Sequence, residues 1–197
     1  MHIGIVSPEF PPDFGGVETY AYEYAKALSA SGYQVSVYTL QRSPAVTYDE
    51  EFAVYPVLKM RRRLDKSTLA SADVDAWHVM NAAHSWLALE TNKPVVVSIH
   101  GNDFLNPYPL TAKPIFSQHP SLWRIAKYLK PFEKWLGRQL TKAMLHKALP
   151  KARIILSNSS YTESIFLQKF PECKGKTLVA QVGVGDVFLS ATFANEK

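Results

Sequence analysis

Seven short apolar runs recur along the 197 residues, at positions 3–6, 34–40, 52–58, 75–80, 95–99, 152–156 and 177–182. The segments between several of them carry helical spacing. Val17, Tyr20, Ala21, Tyr24, Ala25 and Leu28 mark one face of a helix that ends near Gly32. Shorter helices are expected over 64–72 and 81–90, and a long one over 122–149, which Pro131 should kink or divide. Ser160 and Glu163 have the spacing of a capping box for a further helix. Near-continuous apolar runs such as VVVSI at 95–99 suit strands covered on both faces. Strand and helix in alternation predict an α/β fold: a doubly wound, mainly parallel sheet with helices on both faces. Pro56 has no N–H for a ladder, which places the run at 52–58 on an edge.

The first turn is the most specific local feature. A strand ending at Val6 leads into a loop stiffened by Pro8, Pro11 and Pro12, and Gly15 and Gly16 then open the helix. Without a Cβ, the glycines let a ligand approach the backbone. The helix start adds unpaired N–H groups and the positive end of its dipole, a combination suited to phosphate. The other reading is that the glycines only make the turn. The run at 95–99 ends in His100, Gly101, Asn102 and Asp103. In open α/β sheets ligands bind at that carboxyl edge. His100 could donate a hydrogen bond or act in acid–base chemistry. Asp103 could accept from a hydroxyl or orient the imidazole; equally, the pair could serve only to close a turn.

Several classes are disfavoured. The first turn is too long, and its glycines wrongly spaced, for the Gly-x-Gly-x-x-Gly dinucleotide fingerprint. Ser157 to Ser160 lacks the Gly-x-Ser-x-Gly elbow of α/β-hydrolases. No His, Cys, Asp or Glu set has metal-ligand spacing, so no metal site is expected. The single cysteine, Cys173, allows no intrachain disulfide, and the N-terminus lacks a signal-peptide layout. Together these suggest the cytoplasm.

The net charge of +5 is local. Residues 121–153 hold nine Lys or Arg and one acid, Glu133, for +8; the other residues, 13 basic and 16 acidic, sum to −3. In the long helix Ile125, Leu129, Phe132, Leu136, Leu140, Ala143 and Met144 form one stripe, the face of a core helix. Trp123, Arg124, Lys127, Lys130, Lys134, Trp135 and Arg138 form the accompanying basic and aromatic patch. It reads either as a surface for anionic headgroups, peripheral on the inner face of the plasma membrane, or as a solvated basic face. No aromatic-and-basic strand surface for nucleic acid is evident.

Taken in order, the motifs resemble a known family. The Pro-Glu-Phe-Pro-Pro loop, Gly15-Gly16-Val17-Glu18, Asp75 to Asn81, His100 to Asp103 and the 157–162 segment Ser-Asn-Ser-Ser-Tyr-Thr are similar to family 4 glycosyltransferases. That resemblance implies a GT-B enzyme of two Rossmann-like domains, retaining and metal-independent, with a nucleotide-sugar donor and no other cofactor. The chain resembles the N-terminal, acceptor-side domain over 1–185, with 186–197 beginning a linker or tail and the donor-binding domain absent. By the resemblance, Gly15 and Gly16 approach the donor diphosphate, with Val17, Glu18, Gly101 and Asn102 as further binding residues. His100 then lies beside the transferred sugar and Asp103 near a glycan or lipid-linked acceptor. The isolated chain is expected to be inactive. A non-catalytic sugar- or nucleotide-binding module is the alternative, and a sugar-nucleotide epimerase of GT-B shape a third reading.

Overall fold

The seven apolar runs form seven strands: β1 (His2–Val6), β2 (Gln34–Leu40), β3 (Ala53–Leu58), β4 (Ala76–Val79), β5 (Val95–Ile99), β6 (Ile154–Ser157) and β7 (Thr177–Val179). They make a single sheet in the order β3-β2-β1-β4-β5-β6-β7, with every neighbouring pair parallel. The helices are α1 (Gly16–Ala30), α2 (Arg62–Ala70), α3 (Asn102–Leu105), α4 (Trp123–Ala148) and α5 (Ser160–Lys169). This computed structural model describes residues 1–12, 15–41, 50–107, 123–181 and 183; for 123–131, 133 and 134 it describes the backbone alone. The expected tail at 186–197 lies outside the described residues, as do the side chains of Trp123, Arg124, Lys127, Lys130 and Lys134.

Successive strand residues point to opposite faces, so the sheet builds two cores. Ile3 and Ile5 of β1 and Val35 and Val37 of β2 pack with Ala21 and Ala25 of α1. The alternate positions Val6, Tyr38, Trp77 and Val79 join a larger core with Leu69 of α2, Leu145 of α4 and Phe166 of α5. Gly4 makes room within β1: a Cβ there would stand 2.5 Å from Cζ3 of Trp77 on the neighbouring strand. β3 is an edge strand, as its Pro56 required.

The structure corrects the sequence reading in four places. Residues Ala82–Leu89 form a 3-10 helix and not an α-helix. α4 is not divided at Pro131, because an interior proline removes one backbone donor while the flanking turns keep theirs. The cap of α5 is Ser159, whose hydroxyl accepts from the amide of Thr162 at 3.1 Å; Ser160 is the first helical residue. The fourth correction concerns the apolar stripe of α4. Of its described members Phe132, Leu136, Leu140 and Ala143 are exposed, as is Trp135, while Met144 packs partly buried against the larger core. The buried face is instead Gly137, Thr141, Leu145 and Ala148, a set of mostly small side chains. Small residues let α4 pack on the 82–89 segment, and the Thr141 hydroxyl is satisfied by the Gly137 carbonyl at 2.9 Å.

Candidate active site

The chain runs from β1 outward through β2 to β3, then crosses back to β4 and proceeds to β7 on the other side. The order therefore reverses between β1 and β4, and a crevice is expected there at the carboxyl ends. A cleft of about 210 Å³ occupies this region, lined by Glu9, Val17, Asn81, His100, Asn102, Asp103 and Asn106. Its walls are the β1–α1 loop, the β4 end, the β5 end and α3. Backbone bonds align the strand ends: Met80 N donates to Val6 O at 2.9 Å and Ser7 N to Tyr38 O at 3.0 Å.

Four expected site residues, Val17, His100, Asn102 and Asp103, are thus brought together. Gly15 and Gly16 stand at the start of α1, beside Val17. Gly15 is the N-cap in an extended conformation, which any residue could adopt. A Cβ there would meet only the end of the Glu18 side chain, which would have to swing aside. At Gly16 an added Cβ would meet nothing within 4 Å. Gly101 has φ of +99°, in the region where side chains are strained, and it makes the turn from β5 into α3. The Glu18 carboxylate sits in the first turn of α1, where the dipole favours a negative group.

Asp103 has a defined task. Its Oδ1 accepts from the His100 amide at 2.9 Å, and its Oδ2 accepts from the Ala82 amide at 2.9 Å. One buried carboxylate therefore ties the β5 turn to the β4 turn. Of the roles open in the sequence, turn closure is the one the geometry displays. Burial pushes the Asp103 carboxyl above the usual carboxylate range, and the amides of Ala82 and His100 and the charge of His100 pull it back in part. The His100 ring is held edge-on by Tyr20, with ring centroids 5.6 Å apart.

Asn81, Glu9 and Asn106 line the cleft without having been among the expected site residues, although Glu9 and Asn81 fall within the motifs that carry the family resemblance. Asn81 carried a usable signal, a polar residue closing the run at 75–80 on the edge where His100 was sought. Its Oδ1 also caps the following segment, accepting from the Ala83 amide at 3.0 Å. Glu9 and Asn106 become neighbours only through the folded loops. Among the described residues no three His, Cys, Asp or Glu side chains cluster as metal ligands would.

Two buried histidines lie nearby. His78 on β4 shares a hydrogen bond with Ser98 Oγ at 2.8 Å and meets Tyr24 edge-on. Burial, with the charge of His100 second, lowers it from 6.5 to about 3. His84 has both ring nitrogens buried and unpartnered among the described residues, and burial lowers it from 6.5 to about 4. Both are neutral bases in the fold, so the stability they contribute is complete above about pH 6.5 and falls as pH drops through about 4 and about 3. Urea midpoints should therefore fall as pH is lowered from 7 to 4, and His84→Leu should flatten the slope. Equal slopes in the two proteins would contradict this.

Comparison with known proteins adds the remaining findings. A family model described as Glycosyltransferase Family 4 matches residues 14–184. No curated protein matches the chain. A sucrose-phosphate synthase structure from Thermosynechococcus elongatus superposes with a TM-score of 0.62 at 13% identity, covering 93% of this chain and 48% of that one. The apo UGT2 structure of Phytolacca americana gives a TM-score of 0.49 at 14% identity, covering 95% and 54%. The chain thus spans about half the length of the structures it matches.

Proposed function

The chain belongs to glycosyltransferase family 4 and has the Rossmann-like fold of a GT-B N-terminal domain, and from that premise we propose that it forms the acceptor-side half of a retaining, metal-independent enzyme. That enzyme moves a sugar from a nucleotide-sugar donor to a glycan or lipid-linked acceptor. The observation that carries this reading is the cleft at the β1/β4 reversal, which gathers Val17 and the His100–Asp103 motif at one sheet edge. Val17 lies one residue into α1 from Gly16, so the free N–H groups of that helix start border the same edge.

The roles follow from the chemistry. In a retaining transfer the new bond forms on the face from which the nucleotide departs. Positive charge develops on the sugar, and negative charge on the leaving diphosphate. The start of α1 and its open Gly16 would receive part of that diphosphate, displacing the Glu18 carboxylate from the helix end. His100 would face the transferred sugar, with Asn102 and Asn106 offering hydrogen bonds toward an acceptor. Asp103 would hold the two turns that aim them. Most donor contacts would come from a second domain, so the 197-residue chain alone is expected to transfer no sugar. The two-domain protein should release nucleotide from a labelled nucleotide-sugar in an acceptor-dependent way. Transfer by the isolated chain, or a native reading frame that ends at Lys197, would overturn this reading in favour of a binding module or another activity.

A lipid-linked acceptor is favoured by the exposed face of α4. Phe132 and Trp135 are 57% and 55% exposed and stack on each other, and Leu140 is 60% exposed. An apolar stripe on a helix rich in Lys and Arg suits an anionic headgroup layer, with the rings entering the interface and the cations reaching phosphate. No helix among the described residues is long and apolar enough to cross a membrane. Co-sedimentation with vesicles should show binding that needs anionic lipid, and Trp135→Ala with Leu140→Ala should weaken it by about tenfold or more. Equal binding to zwitterionic vesicles, or none to either kind, would remove the membrane role.

A further inference from the structure

Three adjacent strands, β5, β6 and β7, each begin just behind a cation. Lys93 stands two residues before β5, Arg153 one before β6 and Lys176 one before β7. The parallel register sets these starts side by side: Arg153 N donates to Val95 O, and Ile155 N to Lys176 O, both at 2.8 Å. Neighbouring strands lie about 4.8 Å apart, so the three residues form a row along the amino edge of the sheet. Lys151, in the 3-10 turn Leu149–Lys151 between α4 and β6, adds a fourth cation. All four line one open groove of about 540 Å³ together with Thr91 and Asn92, and no described residue lining it is acidic. The transfer cleft lies at the opposite, carboxyl edge.

Like charges side by side repel, and protein groups relieve this row only in part. Lys93 Nζ donates to Ala72 O at 3.4 Å, and Lys176 Nζ donates to the carbonyls of Pro150 and Ala152. Carbonyls hold the two ammonium groups in place without cancelling their charge. The ion pairs among the described residues lie elsewhere, joining Arg62 and Lys66 to Glu90 and His146 to Glu172. Lys151 and Arg153 are exposed at the mouth of the groove. We propose that this groove binds a multiply charged phosphate group, at a site separate from the transfer cleft. Lys93 and Lys176 form its fixed cationic part. Arg153 supplies a planar fork that matches two phosphate oxygens, Lys151 a mobile point charge, and the Asn92 amide a neutral donor. The volume falls in the range of small-molecule sites and leaves room for whatever carries the phosphate. Lys151 and Arg153 belong to the basic 121–153 segment, yet they lie beyond the end of α4 and outside its basic and aromatic patch. A soluble diphosphate and the headgroup of an anionic phospholipid share this chemistry, and the experiment separates them.

The test uses two probes on the ¹⁵N-labelled 197-residue chain at constant ionic strength. Titration with pyrophosphate should shift the backbone amides of Asn92, Lys93, Arg153 and Lys176 saturably. Co-sedimentation with vesicles of phosphatidic acid in phosphatidylcholine reports a lipid headgroup instead. Lys151→Gln with Arg153→Gln should weaken binding of the true source by about tenfold or more, since two charge-assisted contacts are lost. Both side chains are exposed, so the fold should tolerate the change. Lys26→Gln with Lys59→Gln removes the same net charge from exposed positions outside the groove and should leave affinity within about twofold. Weakening by the groove pair alone supports the site, and the probe that shows it names the source. Equal weakening by both pairs, or no weakening by the groove pair with either probe, would overturn the proposal.

Discussion

Asp103→Ala is expected to destabilise the fold by roughly 3–5 kcal/mol, the range for removing one partner from a buried, charge-assisted network. The carboxylate accepts the amides of His100 and Ala82, each at 2.9 Å. Alanine would leave both donors unpaired inside the protein, one on the turn after β5 and one after β4. Asp103→Asn is the informative companion. Its single oxygen can replace one acceptor, but its NH₂ then faces the other amide, so a loss of about half that size is expected. Urea unfolding of the three proteins measures this directly. A loss below about 1 kcal/mol in the alanine variant would show that the carboxylate does not tie the turns. In the proposed two-domain enzyme the same change should lower activity beyond its effect on stability, because both turns position cleft residues.

Gly16→Val should act in the opposite sense, leaving stability nearly intact while removing activity. An added Cβ meets nothing within 4 Å, so a side chain fits the unliganded fold. The same open space is where the proposed donor diphosphate comes close to the backbone. A β-branched side chain there would hold the phosphate away from the N–H groups of α1. Loss of one such preorganised donor in other enzymes lowers turnover about 10²–10³-fold, and a comparable fall in kcat/KM is expected in the two-domain protein. The thermal midpoint of the variant should stay within a few degrees of wild type. Unchanged turnover would mean that Gly15 and Gly16 serve only the turn. A similar loss from Gly15→Ala would have a different cause, displacement of the Glu18 side chain that crosses that position.

The contrast between α1 and α4 shows which inferences from sequence hold. In α1 the apolar positions Ala21 and Ala25 are buried as the periodicity implied, because a single wide stripe leaves one way to face the sheet. In α4 two stripes competed. The more hydrophobic one, with Phe132, Leu136 and Leu140, faces outward, and the one built on Gly137 and Thr141 faces in. Hydrophobicity ranks side chains by transfer from water, whereas close packing between elements rewards small ones. Likewise the capping-box spacing at Ser160 and Glu163 pointed to the right helix, but Ser159 supplies the capping oxygen, because cap identity depends on backbone angles.

Alternating apolar runs and helix-length segments were enough to determine a parallel α/β sheet and its proline-bearing edge, and they marked the first turn and the His100–Asp103 segment as candidates at the carboxyl ends. These are properties of local period and of which residues can supply a given backbone geometry, and a linear chain displays both. Only the tertiary structure decided that β4 lies between β1 and β5, and with it that Asn81 and Glu9 share the cleft. It also decided that Asp103 serves two backbone amides and that His100 and Asn158 follow neighbouring strand ends. Those relations join residues distant in the chain, and strand order and side-chain packing set them jointly.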